Sequence, residues 1–364
     1  MIETESTRKE KVIRLRTRLV ALAAVLCILF GGWLAWHLRH RPVSGTAPVA
    51  TPAGAPVPNL KDDPAPTLLY AHNLLLRKGP DFRIYVRWIR GKMLRTHANA
   101  NPSFDDSDSF VLYIEKGVIH ANIGDICNYL NAVMPKDAPL KNISIQPEGN
   151  QLKLHGTLHK GVPLPVELVG DLSAVPDGRV QFQVSKINVL KIPVKKILGG
   201  LHVELSDIVH RSNTPGIEIS GNSLLFDTQK LLPPPHIRGH LTSIRVQVPD
   251  LEVIYGGAIN DEPKLAQWHN FLRLRGGTLD FGKLTMHDVD LTMIDASDDP
   301  WFDLDLVHYQ DQLVNGYTRM TAEKGLEIYM PDLDGKNLKK ASGSVPLAWL
   351  KNRKTALPPD IPVK

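Results

Sequence analysis

An uncharged, strongly apolar run near the N-terminus constrains this chain more than any other feature of its sequence. The run LVALAAVLCILFGGWLAW covers residues 19–36 and contains no Asp, Glu, Lys or Arg. As a helix it would be roughly 27 Å long, close to the ~30 Å hydrocarbon core of a bilayer. A buried helix of a globular domain seldom runs this long without a polar face. The pattern therefore predicts a transmembrane helix over residues 19–38.

Basic residues on the two sides of this run predict its orientation. Six Lys or Arg lie within residues 8–18, whereas only Arg39 and Arg41 follow the run closely. Under the positive-inside rule, residues 1–18 form a cytoplasmic basic segment. The apolar core is long and lacks a small-residue cleavage pattern after it, which favours an uncleaved signal anchor. We therefore expect a single-pass protein of the inner (cytoplasmic) membrane, with most of the chain extracytoplasmic, in the periplasm.

The distribution of charge argues against nucleic acid as a partner. The 364 residues include 43 Lys and Arg against 38 Asp and Glu, a net charge of +5. Residues 1–41 alone hold eight Lys or Arg and three Glu, so the remainder is formally neutral. The basic character thus belongs to the flanks of the apolar run, and no basic surface is predicted for the rest of the chain.

Composition divides the rest of the chain into segments. Residues 39–66 are rich in Pro and Ala with scattered Gly, which predicts an extended tether. Residues 67–257 hold long strand patterns and two helical patterns, and we expect them to form the main domain. Residues 258–334 are expected to be a β-rich C-terminal extension. The Lys- and Pro-rich residues 335–364 are expected to be a disordered tail.

Turn chemistry and side-chain parity predict local features of the main domain. Lys116-Gly117 lies between two runs rich in β-branched and aromatic residues, which predicts a hairpin turn. Asp177-Gly178 predicts another hairpin turn. In the strand after it, the apolar parity changes beyond Val184, which predicts a bulge near Ser185-Lys186.

Two apolar stripes at helical spacing predict two helices. Asp125 is the expected N-cap of the first helix, and Pro193 suits the first turn of the second. The stripe of the first helix consists of Ile126, Leu130 and Val133. The stripe of the second consists of Ile197, Leu198 and Leu201.

The sequence contains no recognised catalytic motif. G-x-S-x-G, P-loop, H-E-x-x-H and C-x-x-C patterns are absent, and the histidines lack metal-ligand spacing. Asp303 and Asp305 are two residues apart, and we expect a solvated face there rather than a catalytic pair. The sequence therefore predicts a protein that is not an enzyme and that has no cofactor and no metal site.

The order of these elements resembles a known family. FVLYIEKGVIHANIGDICNYLNAVM, followed by QLKLHGTLHKGVPLPVELVGDLSAVPDGRVQFQVSKINVLKIPVKKILGGL, is similar to the bacterial envelope branch of the tubular lipid-binding (TULIP, BPI-like) superfamily. The similarity covers about residues 80–257. It implies an α+β fold in which a highly curved antiparallel β-sheet wraps around a long helix. It also implies an elongated apolar cavity for phospholipid or another acylated lipid.

Carried over by position, the resemblance implies ten residues that line this cavity. They are Ile126, Leu130 and Val133 on the first helix, Ile197, Leu198 and Leu201 on the second, and Val166, Leu168, Phe182 and Val184 on the strands. Periodicity alone fits a closed core equally well. The leading hypothesis is a membrane-anchored, extracytoplasmic lipid-binding protein that carries or senses phospholipid in the cell envelope. The alternative is a non-enzymatic envelope scaffold with a closed core and an envelope protein partner.

Overall fold

The computed structural model of the chain describes six stretches of sequence. They are residues 65–78, 83–134, 140–160, 162–189, 216–258 and 268–352. All of them belong to one compact unit that spans residues 63–364.

Within these stretches the chain forms strands far more than helices. In chain order the strands are β1 (Thr67–Arg77), β2 (Arg83–Arg95), β3 (Phe110–Asn122), β4 (Leu140–Glu148), β5 (Gln151–Lys160), β6 (Val162–Ala174), β7 (Val180–Val189), β8 (Ile217–Ser220), β9 (Ser223–Phe226), β10 (His236–Gly239), β11 (Leu241–Gln247), β12 (Asp250–Tyr255), β13 (Phe271–Arg275), β14 (Thr278–Phe281), β15 (Leu284–His287), β16 (Asp290–Asp295), β17 (Phe302–Asp305), β18 (Tyr317–Met320), β19 (Leu326–Met330), β20 (Leu333–Asp334) and β21 (Asn337–Ala341). The helices are α1 (Ile123–Val133), α2 (Thr228–Leu231), α3 (Tyr309–Val314) and α4 (Leu347–Asn352).

The larger sheet has eleven strands. Its main order is β11-β12-β3-β2-β1-β13-β16-β19-β18, with β10 beside β3 and β17 beside β1. Three pairs are parallel, β1 with β17, β3 with β10 and β16 with β19, and the others are antiparallel. The hairpin β14–β15 and helix α3 cover part of the sheet with the buried side chains Leu279, Phe281 and Tyr309. Because β13 pairs directly with β1, strands β13, β16, β17, β18 and β19 belong to the same sheet as β1. The hairpins β14–β15 and β20–β21 each form a separate two-stranded sheet.

The smaller sheet has six antiparallel strands in the order β4-β5-β6-β7-β9-β8. Its inner face packs on α1 and on the β11–β12 end of the larger sheet. The buried cluster joins Leu154 and Phe182 of the sheet to Cys127 of α1, and Val246 and Leu251 of the larger sheet pack against it. The apolar side chains of alternating parity thus find their partners on a second sheet.

Two local predictions for the smaller sheet are confirmed. Asp177-Gly178 forms the turn between β6 and β7, and Gly178 has a positive φ of 83°. Val169 pairs with Lys186, while Gly170 pairs with Val184, so Ser185 is the extra residue of a bulge. The change of apolar parity marked this position because a bulge moves the following side chains to the other face.

Two other local predictions were wrong. Gly117 lies in the middle of the continuous strand β3 rather than in a hairpin turn. A Cβ at this position would lie 2.6 Å from the Trp88 carbonyl oxygen, so the close approach of β2 explains this glycine. The N-cap of α1 is Asn122, not Asp125, because the Asn122 side chain accepts hydrogen bonds from the backbone N–H groups of Gly124 and Asp125.

The predicted fold class was also wrong. The longest helix in the described stretches, α1, has 11 residues, and no sheet there wraps around a long helix. The second predicted helix falls within residues 190–215, which lie outside the described residues. The fold class differs from the prediction because a second sheet and a short helix bury the apolar face that a long helix was expected to cover.

The expected transmembrane anchor and inner-membrane location are corrected as well. None of the helices in the described part of the chain is long and apolar enough to cross a bilayer. The predicted span itself, residues 19–38, lies outside the described residues, as does the tether up to residue 64. In the predicted disordered tail, β21 and α4 are ordered elements, and residues 353–364 are outside the description.

Candidate functional site

A cavity of about 420 Å³ lies between the two sheets. Its walls are mainly apolar side chains from both sheets and from α1. They include Ile84, Ile119 and Val253 of the larger sheet, Leu154 and Phe182 of the smaller sheet, and Ile126 and Leu130 of α1. The volume falls in the ~300–1,000 Å³ range of small-molecule sites and is nearly three times that of a ~150 Å³ apolar cavity that binds benzene.

Helix α1 holds the two sheets at the distance that leaves this space. On one side, the Asn131 side chain donates to the Ile143 carbonyl oxygen at 2.7 Å and accepts from the Ile143 N–H at 2.8 Å. On the other side, Arg83 of β2 forms an ion pair of 2.5 Å with Asp125 in the first turn. The helix is thus fixed to β4 and β2 at once. The cavity lies beside this helix, which contributes Ile126 and Leu130 to its wall.

The structure brings together three of the ten predicted lining residues. Ile126 and Leu130 of α1 line the cavity together with Phe182 of β7. Leu168 and Val184 instead belong to the packed core of the smaller sheet, and Val166 is buried on β6. Val133 points away and is 48% exposed. The remaining three, Ile197, Leu198 and Leu201, lie outside the described residues.

Sequence reasoning missed the wall that the larger sheet contributes. This wall includes Ile84, Ile119, Val253 and Tyr255. The alternation of apolar residues in β2 marks Ile84 as inward-facing, but it does not say what the inward face meets. Pairing between distant strands decides that, and β3 and β12 are more than a hundred residues apart in the chain.

The charged residues at the cavity are mostly neutralised by ion pairs. The Arg77 Nε donates to Asp303 at 2.6 Å, and Asp177 pairs with Arg179 at 2.6 Å. Arg83 pairs with Asp125. Burial raises the pKa of Asp303, and the Arg77 guanidinium partly offsets this effect. These groups leave little free charge along most of the cavity wall.

Lys78 and Arg238 differ from the other charged lining residues. The Lys78 Nζ donates to the hydroxyl of Ser107 at 3.0 Å, and within the described stretches neither cation has an ion-pair partner. Arg238 is exposed and Lys78 is half-buried, so they mark a place where the cavity meets solvent. One mouth of the cavity is therefore positively charged.

Two neutral polar side chains lie at the same wall. Burial is the largest cause that lowers the pKa of His236 below 6.5, so its imidazole is neutral at neutral pH. Its Nδ1 is buried without a hydrogen-bond partner. Burial also raises the pKa of Tyr255 to about 12, which keeps the phenol protonated. Each side chain can offer a hydrogen bond to a ligand without introducing a charge.

Two carboxylates with a raised pKa lie outside the cavity, the buried Asp295 in the larger sheet and the half-buried Asp332 in the segment that follows β19. Asp295 ends β16 and is fully buried, and burial raises its pKa to about 7. Burial also raises the pKa of Asp332 to about 6, with further contributions from the charges of Asp299 and Asp303. The Oδ1 atom of Asp332 has no hydrogen-bond partner. At neutral pH this region therefore holds negative charge at a cost in stability.

We expect an Asp332→Asn variant to be more stable than wild type at about pH 8 and to lose this advantage on acidification. The folded-state pKa of Asp332 is raised, so wild-type stability is highest below the unfolded-state pKa and falls as the pH rises through about 6. Asn carries no charge and is insensitive to this change. Between about pH 4 and pH 8, the unfolding free energy of Asp332→Asn should rise relative to that of wild type by roughly 2 to 3 kcal/mol. Urea denaturation at each pH measures this difference. A difference that stays constant with pH would contradict the assignment.

Comparison with known proteins leaves the cavity as the main guide to function. No protein-family model matches the chain, no curated protein is significantly similar to it, and no solved structure matches it.

Proposed function

We propose that this protein binds one apolar, acyl-type ligand in the cavity between the two sheets and acts as its carrier or sensor. The proposal includes no catalytic step. The observation that carries it is a cavity of about 420 Å³ whose walls are mainly apolar. Clefts of this size with apolar walls and a few polar groups are typical of small-molecule binding sites.

The energetic argument points in the same direction. An acyl tail in the cavity would leave water for the apolar walls. Burial of about ten methylene groups contributes ~8 kcal/mol before the ordering costs of binding. After these costs we expect a Kd that is micromolar or weaker.

The test uses the full chain and a neutral apolar fluorophore. N-phenyl-1-naphthylamine fluoresces strongly only in an apolar environment and carries no charge at neutral pH. We expect saturable binding of about one probe per chain, with displacement by dodecanol. Linear, non-saturable fluorescence that dodecanol does not reduce would overturn the proposal and favour a closed-core scaffold.

A further inference from the structure

We infer that the ligand is an amphiphile with an anionic head, whose acyl tail lies in the cavity and whose head binds Lys78 and Arg238. This inference rests on the proposed function and adds the chemical class of the ligand.

The volume is sufficient for an acyl tail. In the usual measure of protein cavities, ~10–15 Å³ is enough for one water molecule. The cavity of about 420 Å³ is therefore large enough for at least one acyl chain of ordinary length.

The distribution of charge argues for an anionic head. Four cationic residues and two carboxylates line the cavity. Two of the cations and both carboxylates are held in ion pairs, which leaves Lys78 and Arg238 without a compensating charge among the described residues. His236 and Arg238 are two residues apart on β10, so their side chains lie on the same face of the strand. Lys78 lines the same cavity, and the charges of both cations act on His236. A carboxylate or phosphate there would gain two charge-assisted interactions at once.

The acidic residues near this place do not cancel its charge. Asp227 and Asp108 are the two carboxylates whose charges also act on His236. Asp227 forms an ion pair of 2.9 Å with Lys230. Asp108 is exposed and does not line the cavity, and it can offset only one of the two cations. The mouth therefore keeps a positive surplus. A cationic head would be repelled there, and a neutral head would gain only hydrogen bonds.

Tyr255 and His236 extend the polar site inward. Tyr255 lines the cavity, and burial keeps its phenol protonated. The ring lies against the backbone of Gly239, one residue beyond Arg238, where an added Cβ would come within 2.9 Å of Tyr255 Cδ1. The two neutral side chains thus lie next to the cations. They can donate hydrogen bonds to the oxygens of a head group.

The experiment compares four ligands that share one tail. Dodecanoate, dodecyl phosphate, dodecanol and dodecyltrimethylammonium compete against N-phenyl-1-naphthylamine on the full chain, below their micelle concentrations. We expect at least one anion to bind tenfold or more tightly than dodecanol, and the ammonium to bind most weakly. The two anions distinguish a carboxylate from a phosphate head. The preference for the anion should fall as salt is added.

Charge-removing variants assign the preference to the two residues. In Lys78→Gln/Arg238→Gln, the affinity for the anion should drop to that for dodecanol, while the affinity for dodecanol stays unchanged. The matched control is Lys283→Gln/Lys339→Gln, which removes the same charge from two exposed lysines away from the cavity and should keep the preference.

The outcomes separate the two proposals. Equal binding of all four ligands by wild type would overturn the anionic head and leave the apolar cavity site in place. Failure of every ligand to displace the probe would overturn the proposed function itself. A preference for the anion that survives in Lys78→Gln/Arg238→Gln would place the head elsewhere.

Discussion

A Leu130→Trp variant is expected to bind the neutral probe at least tenfold more weakly than wild type while it keeps its fold. Leu130 lies on the cavity side of α1, so the indole would occupy space that the ligand needs. If the larger ring displaces about three methylene groups, the loss is roughly 2 kcal/mol, which exceeds the 1.4 kcal/mol of a tenfold change. Titration of N-phenyl-1-naphthylamine fluorescence measures the effect.

The same helix supplies a matched control for this variant. Val133 is 48% exposed and faces away from the cavity, so Val133→Trp introduces the same ring without filling the site. We expect wild-type affinity from it. Circular dichroism of both variants checks the fold. Equal affinity of Leu130→Trp and Val133→Trp, with both folded, would contradict the location of the site.

An Arg77→Met variant is expected to lose about 3 kcal/mol of stability at neutral pH. The Arg77 Nε lies 2.6 Å from the Asp303 Oδ1, and the two side chains are only 13% and 12% exposed. Removal of the guanidinium leaves the Asp303 carboxylate without its cation, and loss of one partner of a buried pair typically costs ~3–5 kcal/mol. Met keeps the aliphatic packing of the arginine stem. Urea denaturation measures the change.

The double variant Arg77→Met/Asp303→Asn separates charge from packing. It removes both charges, and we expect it to regain most of the lost stability. Acidification should also relieve the single variant, because burial already raises the pKa of Asp303 and protonation neutralises the carboxylate. A double variant that is no more stable than Arg77→Met would show that the ion pair is not the cause.

Strands that neighbour each other in sequence were predictable, whereas distant pairings were not. In the smaller sheet, β4 to β7 pair in chain order, so turns such as Asp177-Gly178 and the bulge at Ser185 could be predicted from local patterns. The larger sheet depends on pairs such as Leu69 with Leu274. Neither periodicity nor turn chemistry specifies a partner two hundred residues away. The division of the apolar residues between two facing sheets was missed for this reason.

The burial of charged residues was also not predictable from local sequence patterns. Asp303 and Asp305 were expected on a solvated face, yet they are only 8% and 0% exposed. Their burial depends on partners that the two-residue spacing does not reveal. Arg77, the partner of Asp303, lies 226 residues away in the chain. His308, three residues beyond Asp305, is a local signal, since its Nδ1 lies 3.0 Å from the Asp305 carboxylate.

The candidate site was predictable in part. The helical stripe identified Ile126 and Leu130, which line the cavity, but the same pattern included Val133, which is exposed. The resemblance also pointed to Leu168 and Val184, which fill the packed core of the smaller sheet. Whether an apolar face meets a cavity or a packed neighbour depends on the spacing of the two sheets. That spacing follows from how α1 is held between them, which no local pattern encodes.

The most direct test of the central claim is a crystal structure of the chain with ω-bromododecanoic acid. The bromine scatters anomalously and marks the end of the tail. The account predicts an anomalous peak inside the cavity, among Ile126, Leu130 and Phe182, with the carboxylate near Lys78 and Arg238. A cavity filled by the protein's own side chains, with bromine absent from it, would contradict the account.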